Sequence, residues 1–208
     1  MSQETIELFT QKAEAVSAVV KRIGSLDEAY AYAMDVCLNK DACQLLLSGC
    51  ENAISDEASD LCVAKAADKI IAAPKLADDQ YAELAKAAEK AGVKLIADGL
   101  RGHLAGIDIG FAVADLGLAE TGSLVLDSSS EDLRPSTMIS EINVVVLPLS
   151  KLRATSYEAE VELLPMMQKV PNYTAFITGA SRTADIERVL AIGVHGPLEL
   201  HILLWEDA

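Results

Sequence analysis

The sequence predicts an α/β fold built on a mainly parallel sheet, and three observations carry that expectation. Short apolar runs alternate with amphipathic segments of helical period along most of the chain. The 208 residues, 51% hydrophobic and 24% charged, have the make-up of a globular protein with one sizeable core. No stretch rich in Gly, Pro or Ser divides them and no internal repeat is present, so residues 1–208 read as one domain, with residues 1–24 a peripheral helical segment.

Residues Gln3 to Arg22 set Ile6, Phe9, Ala13, Val16 and Val20 at spacings of three and four, one apolar stripe on a helix that stops before Gly24. Ser25, with Glu28 three residues on, reads as a capping box opening a helix through Tyr30 and Met34 toward Leu38. Cys43 to Leu47, closed by Ser48-Gly49-Cys50, has the form of a buried parallel strand and its turn. The rhythm repeats through helix Asp56 to Ala67, strand Lys69 to Ala73, loop Pro74 to Ala77, helix Asp79 to Ala91 with Gly92 at its C-cap, and strand Val93 to Ala97. Such alternation places helices on both faces of the sheet.

From Ile107 the pattern changes. Ile109 to Asp115, Gly122 to Asp127 and Ile142 to Leu147 follow with little helical material between them, a strand-rich insert or a sheet margin. Helix Ser156 to Lys169, strand Thr174 to Thr178, helix Thr183 to Ala191 and strand Leu200 to Trp205 then restore the first rhythm.

The formal charge of -15 argues against a nucleic-acid partner, whose binding rests on Lys and Arg neutralising phosphates. The acids are spread over segments such as Asp78 to Lys90, as on a solvated surface. Met1 to Lys12 lacks an apolar signal region and no run is long enough to span a membrane, so a cytoplasmic location is expected. Cys37, Cys43, Cys50 and Cys62 contain no C-x-x-C pair and read as reduced thiols, although their shared stretch leaves a metal or iron-sulfur role open. His103, His195 and His201 are too scattered to form a metal motif.

Three polar segments carry candidate chemistry. Phe176 to Glu187 reads as a buried strand that turns at Gly179 and opens a helix, the arrangement that binds anions at helix N-termini. There Ser181 and Thr183 offer hydroxyls and Arg182 a bidentate fork for a carboxylate or phosphate; the competing reading is a plain helix cap. No dinucleotide or Walker motif is present. In Asp115 to Ser123, glycines surround Glu120, Thr121, Gly122 and Ser123 before an apolar strand, so that a tight turn either exposes Glu120 to a ligand or makes it one more surface carboxylate. In Ile192 to Pro197, His195 stands between Gly193 and Gly196-Pro197, as a general acid or base or as the cap of a loop carbonyl.

Taken together, Ala119-Glu120-Thr121-Gly122-Ser123, Thr178-Gly179-Ala180-Ser181-Arg182-Thr183-Ala184-Asp185-Ile186-Glu187, Gly193-Val194-His195-Gly196-Pro197 and Leu200-His201 resemble the lactate utilization protein C family, whose members carry a LUD domain and are also called LutC or YkgG proteins. The resemblance is good from near Gly110 onward and rests on rhythm alone before it. It implies a fold like the NagB/RpiA/CoA transferase group and a role in oxidising L-lactate to pyruvate. Iron-sulfur clusters are expected in separate partner subunits, with no cofactor and no metal held by this chain. One departure stands out: many members carry Leu-Pro-x-x-His where this sequence reads Met138-Ile139-Ser140-Glu141-Ile142.

Three readings follow. In the first, the chain is a subunit of a lactate-oxidising complex, nearly inactive alone, with Gly179, Ser181, Arg182 and Thr183 gripping the substrate carboxylate, Thr121, Gly122 and Ser123 lining the site, and Glu120 or His195 as the catalytic group. In the second, it is a non-catalytic assembly protein that holds a carboxylate or phosphate. In the third, suggested only by the fold group, it acts on a CoA ester or sugar phosphate, with Glu120 as nucleophile. The sequence leaves a homo-oligomer open.

Overall fold

The structure, a computed structural model, describes residues 2–40, 55–57, 59–60, 63, 68–103, 106–183, 191–192 and 196–207. The predicted strand Cys43 to Leu47 and most of the predicted helix Asp56 to Ala67 lie outside the described residues, as do Cys43, Cys50 and Cys62.

Helix α1 (Gln3–Ala15) is capped by Ser2, whose hydroxyl accepts from the Thr5 amide, and its apolar stripe Ile6, Phe9 and Ala13 is buried. The sequence predicts a helix to Arg22, and this is corrected: the chain leaves the helix at Ser17, where φ is 66°, and continues as strand β1 (Ala18–Ile23). Val16, Val19 and Val20 suit either element by spacing, and parallel pairing of β1 with the C-terminal strand decides the outcome. Helix α2 (Leu26–Asn39) begins as predicted, with the Ser25 hydroxyl accepting from the Glu28 amide. The Glu28 carboxylate accepts from the Gly24 amide, one residue earlier than a strict capping box requires.

Strand β2 (Ile70–Ala72), helix α3 (Asp78–Ala91) and strand β3 (Lys94–Ile96) follow, with Gly92 in the left-handed C-cap conformation at φ 69°. Strand β4 (Ile107–Val113) leads to β5 (Leu116–Leu118) and β6 (Ser123–Asp127), a hairpin joined by the turn 119–122. Helix α4 (Leu133–Ile139), which the sequence does not announce, precedes β7 (Ser140–Pro148). Then come β8 (Leu152–Arg153), α5 (Glu160–Gln168) and β9 (Thr174–Ile177), a short antiparallel pair β10 (Arg182–Thr183) and β11 (Ala191–Ile192), and β12 (Glu199–Trp205).

Among the described residues the main sheet has six strands in the order β1-β12-β7-β4-β2-β3, all parallel. Its inner strands are buried almost end to end, as expected where both faces are covered. On one face α2 and α3 enclose Tyr30, Met34, Leu84, Phe111, Val144 and Leu203. On the other, α1 and a second, four-stranded sheet in the order β8-β5-β6-β9 enclose Phe9, Leu124, Leu126, Val145, Leu147 and Ile202.

That second sheet is the strand-rich insert. Two strands grouped with it in sequence, β4 and β7, instead run through the middle of the main sheet. A further correction concerns β9: expected as a buried strand of the first rhythm, it is an antiparallel edge of the second sheet with Phe176 half exposed. The predicted helix Thr183 to Ala191 is corrected at both ends, since Thr183 and Ala191 pair as strands and residues 184–190 lie outside the described residues.

Candidate functional site

Parts of two of the polar segments, Thr178 to Ser181 and Gly196-Pro197, meet beside Asn143 of β7 and Leu200 of β12. The Ser181 amide donates to the Pro197 carbonyl at 3.0 Å, which ties the Gly179-Ala180-Ser181 stretch to Gly196-Pro197. Together with α4 these residues enclose a cavity of about 260 Å³. That is just below the roughly 300–1,000 Å³ of drug-sized ligand sites, so the space suits a small metabolite. A hollow of about 580 Å³ between α2 and α3 is larger but is walled by Tyr30, Met34 and the charged tips of Glu83, Lys86 and Lys90, with none of the convergent polar groups.

The floor of the cavity is made by strand residues whose neighbours are small. Asn143 on β7 donates to the Thr137 carbonyl at 3.0 Å and accepts from the Ser140 hydroxyl at 2.7 Å. A Cβ on Gly110 of β4 would stand only 2.7 Å from Asn143 Oδ1 and would also strike the Ser136 carbonyl, so glycine is what lets α4 and Asn143 settle there. Leu200 on β12 supplies an apolar patch.

The rim carries the charge. Arg134 on α4 donates to the Ser128 carbonyl at 3.1 Å, pairs with Glu131, and lies with its guanidinium carbon 5.4 Å from the centre of the Tyr173 ring. Ser128 also lines the cavity; it is 1% exposed, and its hydroxyl has no hydrogen-bond partner. A buried hydroxyl without a partner is costly, so Ser128 marks a polar requirement that the chain's own described groups leave unmet.

Of the residues singled out from sequence, Gly179 and Ser181 line this cavity. Ser123 and Thr121 reach it indirectly, through hydroxyl contacts of 2.8 Å between them and 2.6 Å from Ser123 to Thr178 on the wall. Gly122 is buried against the last turn of α1. Glu120 lies in the β5–β6 turn and accepts from the Ser156 amide at 2.7 Å; that bond holds its carboxyl below the usual glutamate range. Arg182 is exposed and, with Thr183, is part of the β10–β11 pair, outside the cavity lining. His195 lies outside the described residues.

Sequence reasoning missed Arg134, Ser128 and Asn143. The available signal was the polar run Ser128-Ser129-Ser130-Glu131-Asp132 ahead of an arginine. His201, next to Leu200, faces the opposite side because side chains alternate along a strand. It is bracketed by the Tyr32 hydroxyl at 2.9 Å and Glu199 at 2.8 Å, and so ties β12 to α2. The divergent Met138 to Ile142 element spans the end of α4 and the start of β7, with Ile142 buried in the core.

Fold and cavity thus define an α/β protein with a parallel sheet, a second sheet packed on it, and a small pocket between them whose apolar wall carries a few polar groups. A family model described as the LUD domain matches residues 6–205, and the chain belongs to that family. It is 33% identical over 102 residues to lactate utilization protein C of Shouchella clausii, a match covering 48% of this chain and 44% of that protein. It is 36% identical over 97 residues to the uncharacterized protein NMB1437 of Neisseria meningitidis, covering 47% and 42%. Against YkgG of Escherichia coli the figures are 32% over 102 residues, 48% and 44%. The match therefore spans less than half the length of these relatives. A crystal structure of a DUF162 family protein from Deinococcus radiodurans aligns over 99% of both chains with a TM-score of 0.62 and 13% identity, a likeness of fold. No helix of the described residues is long and apolar enough to cross a membrane.

Proposed function

We propose that this chain serves lactate utilization as a subunit of a complex that oxidises L-lactate to pyruvate, with the iron-sulfur clusters in separate subunits, and that its cavity binds a small carboxylate. The observation that carries the reading is the cavity itself, whose wall is the Thr178 to Ser181 and Gly196-Pro197 signature and whose rim holds an arginine and an unsatisfied hydroxyl. Relatives matched over about half of the chain bear the name lactate utilization protein C.

Removing two electrons and two protons from a 2-hydroxy acid needs an electron acceptor, and partner clusters supply it in this reading. Docking of such partners is supported by Val161, Leu164 and Met167, which stand three apart on α5 and are exposed, with Tyr157 exposed just ahead of them. Gentle purification of the tagged protein from its native cells tests the proposal. Co-purifying iron together with L-lactate-dependent reduction of a dye is the expected result, and a protein that emerges alone and inert would overturn it.

The second reading, a non-catalytic binding and assembly protein, is favoured by one observation. Glu120 is engaged in closing the 154–159 turn and does not line the cavity, so the candidate base is turned to structural work.

A further inference from the structure

We propose that Arg134 is the carboxylate-binding residue of the cavity, that Glu131 is an internal carboxylate competing for it, and that the ligand class is a small acid with an oxygen on carbon 2. The inference rests on reading the cavity as a small-carboxylate site and goes further by naming the groups that recognise the ligand.

Arg134 is oriented independently of Glu131. One guanidinium nitrogen donates to the carbonyls of Ser128 at 3.1 Å and Ser129 at 3.5 Å, and Tyr173 packs beneath the group. The other terminal nitrogen meets the Glu131 carboxylate. The Arg134 side chain is 23% exposed whereas that of Glu131 is 66% exposed, so the arginine belongs to the cavity rim and the glutamate to solvent. Glu131 also has a second partner, Arg101, at 2.8 Å. A carboxylate that displaces Glu131 from Arg134 therefore leaves Glu131 paired, and exposed pairs of this kind contribute little net stability. The planar fork of Arg134 suits a carboxylate in a way that a point charge does not.

Ser128 sets the second requirement. Its carbonyl anchors Arg134, and Ser128 itself stands in the cavity wall with a buried hydroxyl that has no partner among the described residues. A ligand with a hydroxyl or carbonyl oxygen next to its carboxylate satisfies guanidinium and hydroxyl together, and Ile177, Pro197 and Leu200 accommodate its carbon side. Arg182, the cation prominent in sequence, is exposed and outside the lining.

Calorimetric titration of the purified chain with sodium L-lactate and with sodium propionate, which lacks the 2-hydroxyl, tests this. Glu131→Gln is expected to tighten both acids roughly two- to fivefold by removing the competitor. Arg134→Lys, which keeps the charge, is expected to weaken both about tenfold, and Ser128→Ala to erase a preference for L-lactate of roughly two- to tenfold. Arg182→Lys is expected to bind as the parent does. Parent-like binding by Arg134→Lys, or no tightening by Glu131→Gln, overturns the proposal, as does a parent chain that binds neither acid. Glu131→Gln changes an exposed residue and so reads the question even if an Arg134 variant folds poorly. Lactate-dependent reduction by the native complex without these binding effects would refute this inference alone. Arg134-dependent binding in a chain whose native preparation is inert would refute the lactate-oxidation reading alone.

Discussion

Gly122 and Gly179 press on the same short piece of backbone: a Cβ on the first would strike Ala13 and the end of Lys12, and one on the second would strike the Val16 carbonyl. Both have positive φ, 66° and 82°, where a side chain is strained in any case. The β5–β6 turn and the exit of β9 are thereby fastened to the end of α1, which fixes the cavity wall at Gly179. Alanine at Gly122 or Gly179 combines left-handed strain with overpacking and should cost about 3 kcal/mol or more. Gly92 is the internal control, since its φ is 69° but nothing lies within 4 Å of a Cβ there. Its alanine variant should lose only about 1 kcal/mol. Urea unfolding of the three variants checks the contrast.

The same two glycines show what a sequence discloses. Thr121-Gly122-Ser123 and Thr178-Gly179 are conspicuous as motifs, yet nothing local reveals that one is packed on a helix some hundred positions upstream while the other lines a cavity. Helices α2 and α3 are legible because a cap, Ser25 or Gly92, agrees with their period, and β2, β3 and β12 because they are short apolar runs set between such helices or turns. The switch from helix to strand at Ser17 was not, because Val19 and Val20 fit both periods and only pairing with β12 decides between them. Arg134 was hidden by lying on a seven-residue helix with Pro135 beside it, in a stretch that reads as loop. Arg182, by contrast, stands in the Thr178 to Glu187 signature and is exposed outside the cavity lining.

Lys40 supports a charge arrangement that no local sequence pattern foretells. Asp108 on β4 and Glu141 on β7 lie between the Ile107–Ser140 and Ile109–Ile142 register pairs, two acids side by side on adjacent strands. Lys40 bridges them at 3.1 Å and 2.5 Å, with side-chain exposures of 7%, 2% and 11% for the lysine, the aspartate and the glutamate. Burial disfavours the lysine's charge, but the hydrogen bonds to Glu141 and Asp108 outweigh it and raise its pKa. With a raised folded pKa the contribution is full below the ordinary 10.5 and fades only as pH climbs past it, so it is constant around neutrality. Lys40→Met should destabilise by about 3–5 kcal/mol by removing the cation that bridges these two carboxylates. Adding Asp108→Asn and Glu141→Gln to that variant should recover much of the loss, as denaturant midpoints at pH 7 will show.

Asp127, at the end of β6 and directly before Ser128, sets an acid limit. A hydrogen bond from Lys169 at 2.8 Å, joined by one from the Ser129 hydroxyl at 2.6 Å, lowers its pKa from 3.8 to about 2. Because the folded value is depressed, its contribution is complete above pH 3.8 and is lost as pH falls through about 2. Asp127→Asn should therefore be less stable than the parent at neutral pH and lose less stability on acidification across that window. Unfolding curves at several pH values for both proteins measure the difference in slope, and parallel slopes would contradict it.

Glu120 was the candidate base or nucleophile, and its surroundings argue for another task. Its amide donates to the Ala154 carbonyl at 3.0 Å and its carboxylate accepts from the Ser156 amide, while Glu158 accepts from the Ala154 amide at 3.1 Å. Those bonds fasten the turn that leads into α5. A general base works best with a pKa near the working pH, and the Ser156 bond moves Glu120 the opposite way. Glu120→Gln keeps an acceptor for the Ser156 amide, so if the role is positional, turnover of L-lactate in the proposed complex should stay within about twofold of the parent. Glu120→Ala removes the acceptor and should speed hydrogen exchange at the Ser156 amide. Loss of turnover in Glu120→Gln with unchanged exchange at Ser156 would instead return Glu120 to the chemistry, because only its charge or its proton would then have been removed.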